Sequence, residues 1–464
     1  MWNKILDYFG LRERKPRHIV AWFLVLIFGL FTYLYFEAMD YKIEFGTLLP
    51  WFSYEAWFWI FTVILILYDS FFMFFAIKFF GAKQKWPFMI VGAVAMIFAS
   101  ITLFVFPGMN VEGECLHAIE THKLFIYFAT TIMVFVSIYY FIVIIPQIIK
   151  DRNFYNVIFV FAILVGLVGT IWSYIFEQDV YMRLFTTPHP YDVPQSFTGN
   201  RNTYAFILVV AMMAEAFLIV KNNWVLHWVL FFYFFFNILF TLSKTSIIMA
   251  FVFFSVFAIW RTSLILKKHP IRGLLFFALM TAGAGAFLII ALVPFEEGTF
   301  LSLPHTFLNY LVEDLPGLNG NSFDTRINCF NQAKEALSVS GITSFFGFGY
   351  MNWQSSLYAY FHGYVAMDVA FAVNLLQFGI PGLIFSVALW AYAFFYDVRL
   401  YKHRSKFAGV TLLTLSVLLA RCFAEAGDFT FPNLTGTVYY FLFLCPMLTE
   451  IRVIKAEKAP LVEA

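Results

Sequence analysis

Apolar runs long enough to cross a bilayer recur from one end of this chain to the other, and they decide its class. Lipid offers no partner to a backbone N–H or C=O, so a spanning segment must be a helix of roughly 20 apolar residues or a strand in a closed barrel. Helix-length runs of roughly 18–25 residues repeat along the chain. With 62% hydrophobic and 12% charged residues, it has too little charge to cover a soluble surface of this size. The expected fold class is an all-α polytopic membrane protein, not a soluble domain with an anchor. Its 64 Phe and 25 Tyr suit lipid-facing and interfacial positions and need not mark a cofactor site.

Charge placement gives orientation. Residues 1–18 carry Lys4, Arg12, Arg14, Lys15 and Arg17, which the positive-inside rule keeps in the cytoplasm. Spans are expected near 19–36, 56–77, 87–106, 123–149, 154–175, 203–220, 224–242, 246–261, 273–293, 368–398, 407–424 and 436–450. The gaps alternate. Basic ones, such as Lys83 and Lys85 or Arg399 to Lys406, fall inside; acidic ones, such as Glu112 to Glu120 or Glu177 to Asp192, fall outside. This closes on about twelve spans with both termini cytoplasmic. No cleavage pattern follows the first run, so it reads as a retained span. The net charge of +2 and the lack of a basic domain give no sign of nucleic-acid binding. No internal repeat is visible. Residues 1–464 read as one transmembrane domain, with a large external loop at 294–367 between spans nine and ten.

That loop is too long to lack structure. Asp324 is placed to cap a helix in which Ile327, Phe330, Ala333 and Leu337 form an apolar stripe, with Arg326 in its first turn and Gly341 as its stop. Gly347 and Gly349 mark a tight turn at 346–350, where backbone can approach a ligand. Asp368 then opens a helix containing Gly379-Ile-Pro-Gly382.

Basic residues on the acidic outer face need a reason. Arg201 precedes span six, Lys244 starts span eight, Arg326 lies in the loop helix and Arg421 lies near the outer end of span eleven. Each alone can pair with a neighbouring acid. Together, at helix ends with free N–H groups, they suit a diphosphate. Asn200 and Asn202 flank Arg201, and Asn374 and Gln377 share a helix face; these polar groups either line a cavity or bond between helices. Asp69 and Glu215 lie inside spans, where the reading is an ion path or a hydrogen-bonded packing acid. Cys115, His117, Glu120 and His122 lack a zinc spacing, so the expectation is no metal. Cys115 and Cys329 both fall on the outer face, as a bridge or as two thiols. No P-loop, nucleophile elbow or Asp-x-Asp pattern occurs.

The ordered pieces resemble the O-antigen ligase and polymerase superfamily of bacterial membrane glycosyltransferases. The matching residues are Gly199-Asn200-Arg201-Asn202 before a middle span, Ser243-Lys244-Thr245 at a turn, the Arg326 helix, Gly347-Phe-Gly349 and Gly379-Ile-Pro-Gly382. The second half of the chain carries the match; the first half agrees by topology. Ligases of this superfamily carry His-Asn where this chain has Asp368-Val369, which points toward a polymerase. The resemblance implies a metal-independent transferase that needs no cofactor and works at the outer face of a bacterial plasma membrane. It would join polyprenyl-diphosphate-linked oligosaccharide repeats among membrane lipids, with a flippase and a chain-length regulator as partners. Asp368 would be the general base, with His362 as fallback; Arg201, Lys244, Arg326 and Arg421 would hold the diphosphate. The alternatives are a ligase with a different acceptor, and a transporter or flippase of lipid-linked glycan coupled through Asp69 or Glu215.

Overall fold

The computed structural model describes residues 16–39, 54–105, 121–149, 152–186, 193–271, 321–338, 341–349, 369–425 and 442–458, with isolated residues between 273 and 305. The protein is all-helical, and no described residue lies in a strand. Among the described residues six helices are long and apolar enough to cross a bilayer: Phe58–Phe80, Phe128–Ile148, Phe154–Phe176, Arg201–Asn222, Lys244–Lys267 and Ala370–Lys402. These are the second, fourth, fifth, sixth, eighth and tenth expected spans. Three shorter apolar helices, Pro16–Thr32, Val225–Phe240 and Ala408–Cys422, fall on the first, seventh and eleventh. Most of the ninth, and the first part of the twelfth, lie outside the described residues, as does most of 294–367.

In chain order the helices are α1 (Pro16–Met39), α2 (Tyr54–Phe80), α3 (Trp86–Val105), α4 (Thr121–Tyr139), α5 (Ile145–Ile148), α6 (Phe154–Phe176), α7 (Gln178–Thr186), α8 (Arg201–Asn222) and α9 (Val225–Phe240). They continue with α10 (Lys244–Lys268), α11 (Asn321–Leu337), α12 (Gly341–Phe346), α13 (Ala370–Lys402), α14 (Ala408–Cys422) and α15 (Cys445–Lys458). The chain divides into two compact units. One holds residues 1–156, 326–404 and 422–464; the other holds 157–325 and 405–421.

In the first unit, α1 packs on α2, α3 on α4, and α13 on α3, α12 and α15. Phe28, Phe72 and Tyr140 stack at ring separations of 5.2–5.8 Å. A π segment, Tyr140–Ile144, joins α4 to α5. Its cause is local: Pro146 has no N–H to give to Ile142 O, so the ladder slips by one residue. The carbonyl this leaves over is taken: Ile145 N–H goes to Tyr140 O, and Phe141 O accepts the Cys445 thiol at 2.9 Å. Arg152 clamps the end of α15, with Nε 2.9 Å from Glu450 and Nη1 2.8 Å from Glu457. Burial alone lowers the Arg152 pKa, but hydrogen bonds and charge from the two glutamates outweigh it and raise it.

The helix α13 breaks at Gly379, with φ 62° and ψ −154°. Pro381 cannot donate to Gln377 O, and the Gly379 turn takes the next N–H away from Leu376 O. Two loop amides replace them: Phe348 N–H reaches Leu376 O at 2.6 Å, and Gly349 N–H reaches Gln377 O at 2.9 Å. Backbone meets backbone here. A Cβ on Gly379 would fall 2.0 Å from Phe345 O, and one on Gly347 would fall 2.6 Å from Leu376 O. Asn374 staples the two halves of α13 by donating its amide to Ser386 Oγ.

Several local expectations change. α11 begins at Asn321, so Asp324 lies inside it and Arg326 lies in its second turn. Ile327 and Phe330 are exposed; the buried stripe is Cys329, Ala333, Ala336 and Leu337. Gly341 opens α12 instead of only stopping α11. α13 continues through Arg399 and Lys402, and α15 continues through Arg452 to Lys458, because helical hydrogen bonding runs on past the apolar stretch.

In the second unit α8 is the centre: every residue from Tyr204 to Ile219 is buried. Its sequence is apolar around the whole circumference, which suits a helix surrounded by others. It packs on α9 and α10. Gly166 of α6 lets that helix close on it, since a Cβ there would meet Ala211 at 2.7 Å.

Substituting Gly379→Ala should lower the thermal midpoint in detergent sharply, since φ 62° with ψ −154° is a region essentially confined to glycine and costs another residue about 1–3 kcal/mol before any clash. Gly92→Ala, whose Cβ would meet nothing within 4 Å, should leave the midpoint near wild type. Equal midpoints for the two variants, by fluorescence-detected size exclusion, would contradict the break.

Candidate functional site

The second unit brings two helix starts together. Asn200 caps α8, its side-chain oxygen accepting Asn202 N–H at 2.9 Å and Thr203 N–H at 3.3 Å. Arg201 is the first residue of α8, and Lys244 is the first residue of α10. Ser243, the residue before α10, does not cap its own helix. It donates instead to Asn202 Oδ1 at 2.9 Å and lies 3.2 Å from Ser246 Oγ. Two positive helix ends, each led by a half-buried cation, are thereby tied side by side. The turn itself is Thr241-Leu242, with Leu242 at φ 47°; Ser243-Lys244-Thr245 is the helix start that follows it.

The approach to α8 is built on one acid that the sequence reading placed only in an outer loop. Glu177 accepts Gln195 N–H at 3.1 Å and Ser196 N–H at 3.0 Å, and the Ser173 hydroxyl besides. Ser196 in turn donates to Gly169 O at 2.7 Å. This pins the turn Ser196–Thr198, and Gly199 at φ 62° redirects the chain into the Asn200 cap. Tyr181 donates to Ser173 at 3.2 Å, and burial pushes its phenol up to about 12.

Arg421, in the last turn of α14, is buried with its guanidinium 4.0 Å above the Phe206 ring of α8. It faces the second turn of α8 as a cation–π partner. Glu215 and His227 pair inside the same unit, with Oε2 2.7 Å from Nδ1; both are buried, and Trp224 stacks on the imidazole. The sequence reading missed His227. A carboxylate inside an apolar span needs a partner, and the nearest titratable side chain across the α8–α9 turn supplies it.

In the first unit, Arg326 Nε donates to Ala424 O at 2.9 Å, while Ala370 N–H donates to Glu425 O at 3.1 Å. One short segment after α14 thus joins the Arg326 helix to the start of α13. Asp368 and His362 lie outside the described residues. Asn374 is fully buried at the break, and Gln377 is buried with its side-chain oxygen lacking a hydrogen-bond partner among the described residues. Asp69 is buried in α2 with neither carboxylate oxygen hydrogen-bonded among the described residues, and Tyr140 donates to its backbone carbonyl. Cys329 is a buried thiol, and Cys115, His117 and Glu120 lie outside the described residues. Among the described residues no group of His, Cys, Asp and Glu could hold a metal ion.

Arg201, Lys244 and Arg421 therefore belong to one unit, and Arg326, Asn374 and Gln377 to the other. The class these features define is an all-helical protein with, among its described residues, six helices long and apolar enough to cross a membrane and cation-led helix ends joined by hydrogen bonds. Compared with known proteins, the chain matches no family model and no curated protein.

Glu177→Ala should cost about 1–3 kcal/mol, because it leaves two amides of the turn without their acceptor. The expected readout is a lower denaturation midpoint for the purified protein. A midpoint unchanged from wild type would show that Glu177 does not hold the turn.

Proposed function

We propose that the chain is a membrane glycosyltransferase of polymerase type, joining polyprenyl-diphosphate-linked repeat units at the outer face of a bacterial plasma membrane. The reading includes about twelve spans with both termini cytoplasmic. The observation that supports it most is the hydrogen-bonded pairing of the α8 and α10 starts, each led by a cation. The Asn200 cap takes the Asn202 and Thr203 amides, so α8 offers a phosphate its positive dipole and Arg201, while α10, which has no side-chain cap, offers N–H groups as well.

The bond that breaks joins the anomeric carbon of the donor sugar to a phosphate oxygen. The bond that forms joins that carbon to a hydroxyl of the acceptor repeat. The departing diphosphate gains negative charge as the bond lengthens. Arg201 and Lys244, at the paired helix starts of the second unit, stabilise that charge, which lowers the barrier without nucleotide or redox chemistry, and Arg326 is the candidate for the same role that the family resemblance adds. Asp368 takes the hydroxyl proton, and His362 is the fallback base. Arg421 acts from beneath, through its contact with Phe206. Asn200 and Asn202 hold the helix starts in place.

The test uses purified protein in detergent with a polyprenyl-diphosphate oligosaccharide repeat, resolving products by length. Wild type should give a ladder of repeat multiples. Arg201→Ala, Lys244→Ala and Arg326→Ala should each lower the rate by about 10²–10³-fold, the scale for loss of one charge-stabilising donor. Asp69→Asn and Glu215→Gln should keep the ladder. Product only after addition of a foreign acceptor would mean a ligase. No chemistry with any acceptor, but movement of the lipid-linked sugar across liposomes, would sink the enzyme reading.

A further inference from the structure

A cavity of about 440 Å³ opens in the first unit between α2, α3, the α4–π segment and α13. Its walls include Met73, Gly92, Phe135, Tyr140, Phe385 and Tyr392. Its size falls within the roughly 300–1,000 Å³ range of small-molecule sites. The lining side chains are apolar apart from tyrosine hydroxyls, and two of those are occupied: Tyr140 donates to Asp69 O, and Tyr139 accepts Lys85 N–H. The rim at Phe88, Met89 and Val91 is exposed along α3, so the cavity faces the surface that would meet lipid.

One end is charged. Tyr392 closes the cavity there, its ring 6.4 Å from Phe88 and 4.7 Å from Tyr396. Arg399 follows Tyr392 about two turns further along α13, and α15, which carries Arg452, packs on α13. Arg399 lies over Phe395 at 4.3 Å and over Tyr396 at 5.3 Å. Arg452 is half-buried on α15, and burial lowers its pKa while Tyr392 and Tyr396 oppose the shift. The acids of α15 do not neutralise it, because Glu450 and Glu457 are held by Arg152. Asp397 is buried, and one of its oxygens has no hydrogen-bond partner among the described residues. No carboxylate pairs with Arg452 among the described residues. A desolvated guanidinium of this kind is stabilised by an anion that forms charge-assisted hydrogen bonds.

We propose that the first unit binds an anionic phospholipid, with an acyl chain in this cavity and its phosphate at Arg452 and Arg399. A free anion would leave the apolar volume empty, and a zwitterionic lipid would bring its own cation to the two arginines. Arg399 and Arg452 lie at the end that the positive-inside rule assigns to the cytoplasm, so the lipid comes from the inner leaflet. Bound there, it bridges α3 to α13. The proposal does not rest on the glycosyltransferase reading.

The test takes the full-length protein, delipidated in detergent, and adds phosphatidylglycerol or phosphatidylcholine with the same chains. Native mass spectrometry and thermal unfolding are the readouts. Wild type should retain phosphatidylglycerol about tenfold more tightly than phosphatidylcholine, the scale of one charge-assisted hydrogen bond. Arg399→Ala with Arg452→Ala should abolish the preference. Gly92→Phe, placed where a Cβ meets nothing within 4 Å, should fill the cavity and abolish retention of both lipids in a folded protein. The wild-type comparison needs no variant to fold. Equal retention of the two lipids, stabilisation by inorganic phosphate alone, or displacement of phosphatidylglycerol by polyprenyl phosphate at equal concentration would each overturn the assignment.

Discussion

Everything in the first unit follows from how the break at Gly379 is satisfied. A helix that stops hydrogen-bonding inside a lipid-facing bundle strands carbonyls that water cannot reach, and each stranded group costs free energy comparable to a lost hydrogen bond. Here the amides of Phe348 and Gly349 take the carbonyls of Leu376 and Gln377. The consequences run outward. Ser344, three residues before the Gly347 turn, donates to Leu337 O at the end of α11. At its other end α11 reaches Ala424 O through Arg326, and the neighbouring Glu425 O accepts the first amide of α13. The loop helix is therefore held at both ends against the same broken helix. The Ala424 carbonyl fixes the address of Arg326.

The second unit solves a different problem by similar means. Its polar end must bring two helix starts together, although N-terminal dipole ends repel one another. Ser243 and Asn202 bridge them by hydrogen bond, and Glu177 gathers the amides that lead into α8. The apolar burial of α8 supplies the anchorage. An anion at this end would offset the repulsion between like poles, which is the physical link from the packing to the proposed diphosphate chemistry.

Much of this was legible from residue order. The long described helices show as apolar runs, interrupted singly by residues such as Asp69 and Glu215. Asn200 and Ser243 announce helix starts by residue type, and the paired glycines at 347–349 and 379–382 announce tight backbone. What was hidden was pairing. Nothing in a one-dimensional pattern says that Gly347 meets Gly379, although Pro381 four residues after Gln377 already implies a stranded carbonyl that something must take. Glu177 looked like an ordinary loop acid because its partners are backbone amides, which have no side-chain signature. Asp324 reads as a cap by residue type, yet the helix already includes Asn321 to Asp324, since a capping residue is also tolerated in a helix's first turns. The burial of Cys329 and Ala336 in place of Ile327 and Phe330 follows from the direction in which α11 is pinned, which only tertiary contacts decide.

Hydrogen exchange at single-residue resolution tests the central claim most directly, because the clasp is made of two amides in a segment that otherwise looks like a turn. The account predicts that the amides of Phe348 and Gly349 exchange as slowly as those inside α13, since opening them requires unclasping the broken helix. Exchange of both at the rate of an unstructured loop, while α13 stays protected, would contradict it.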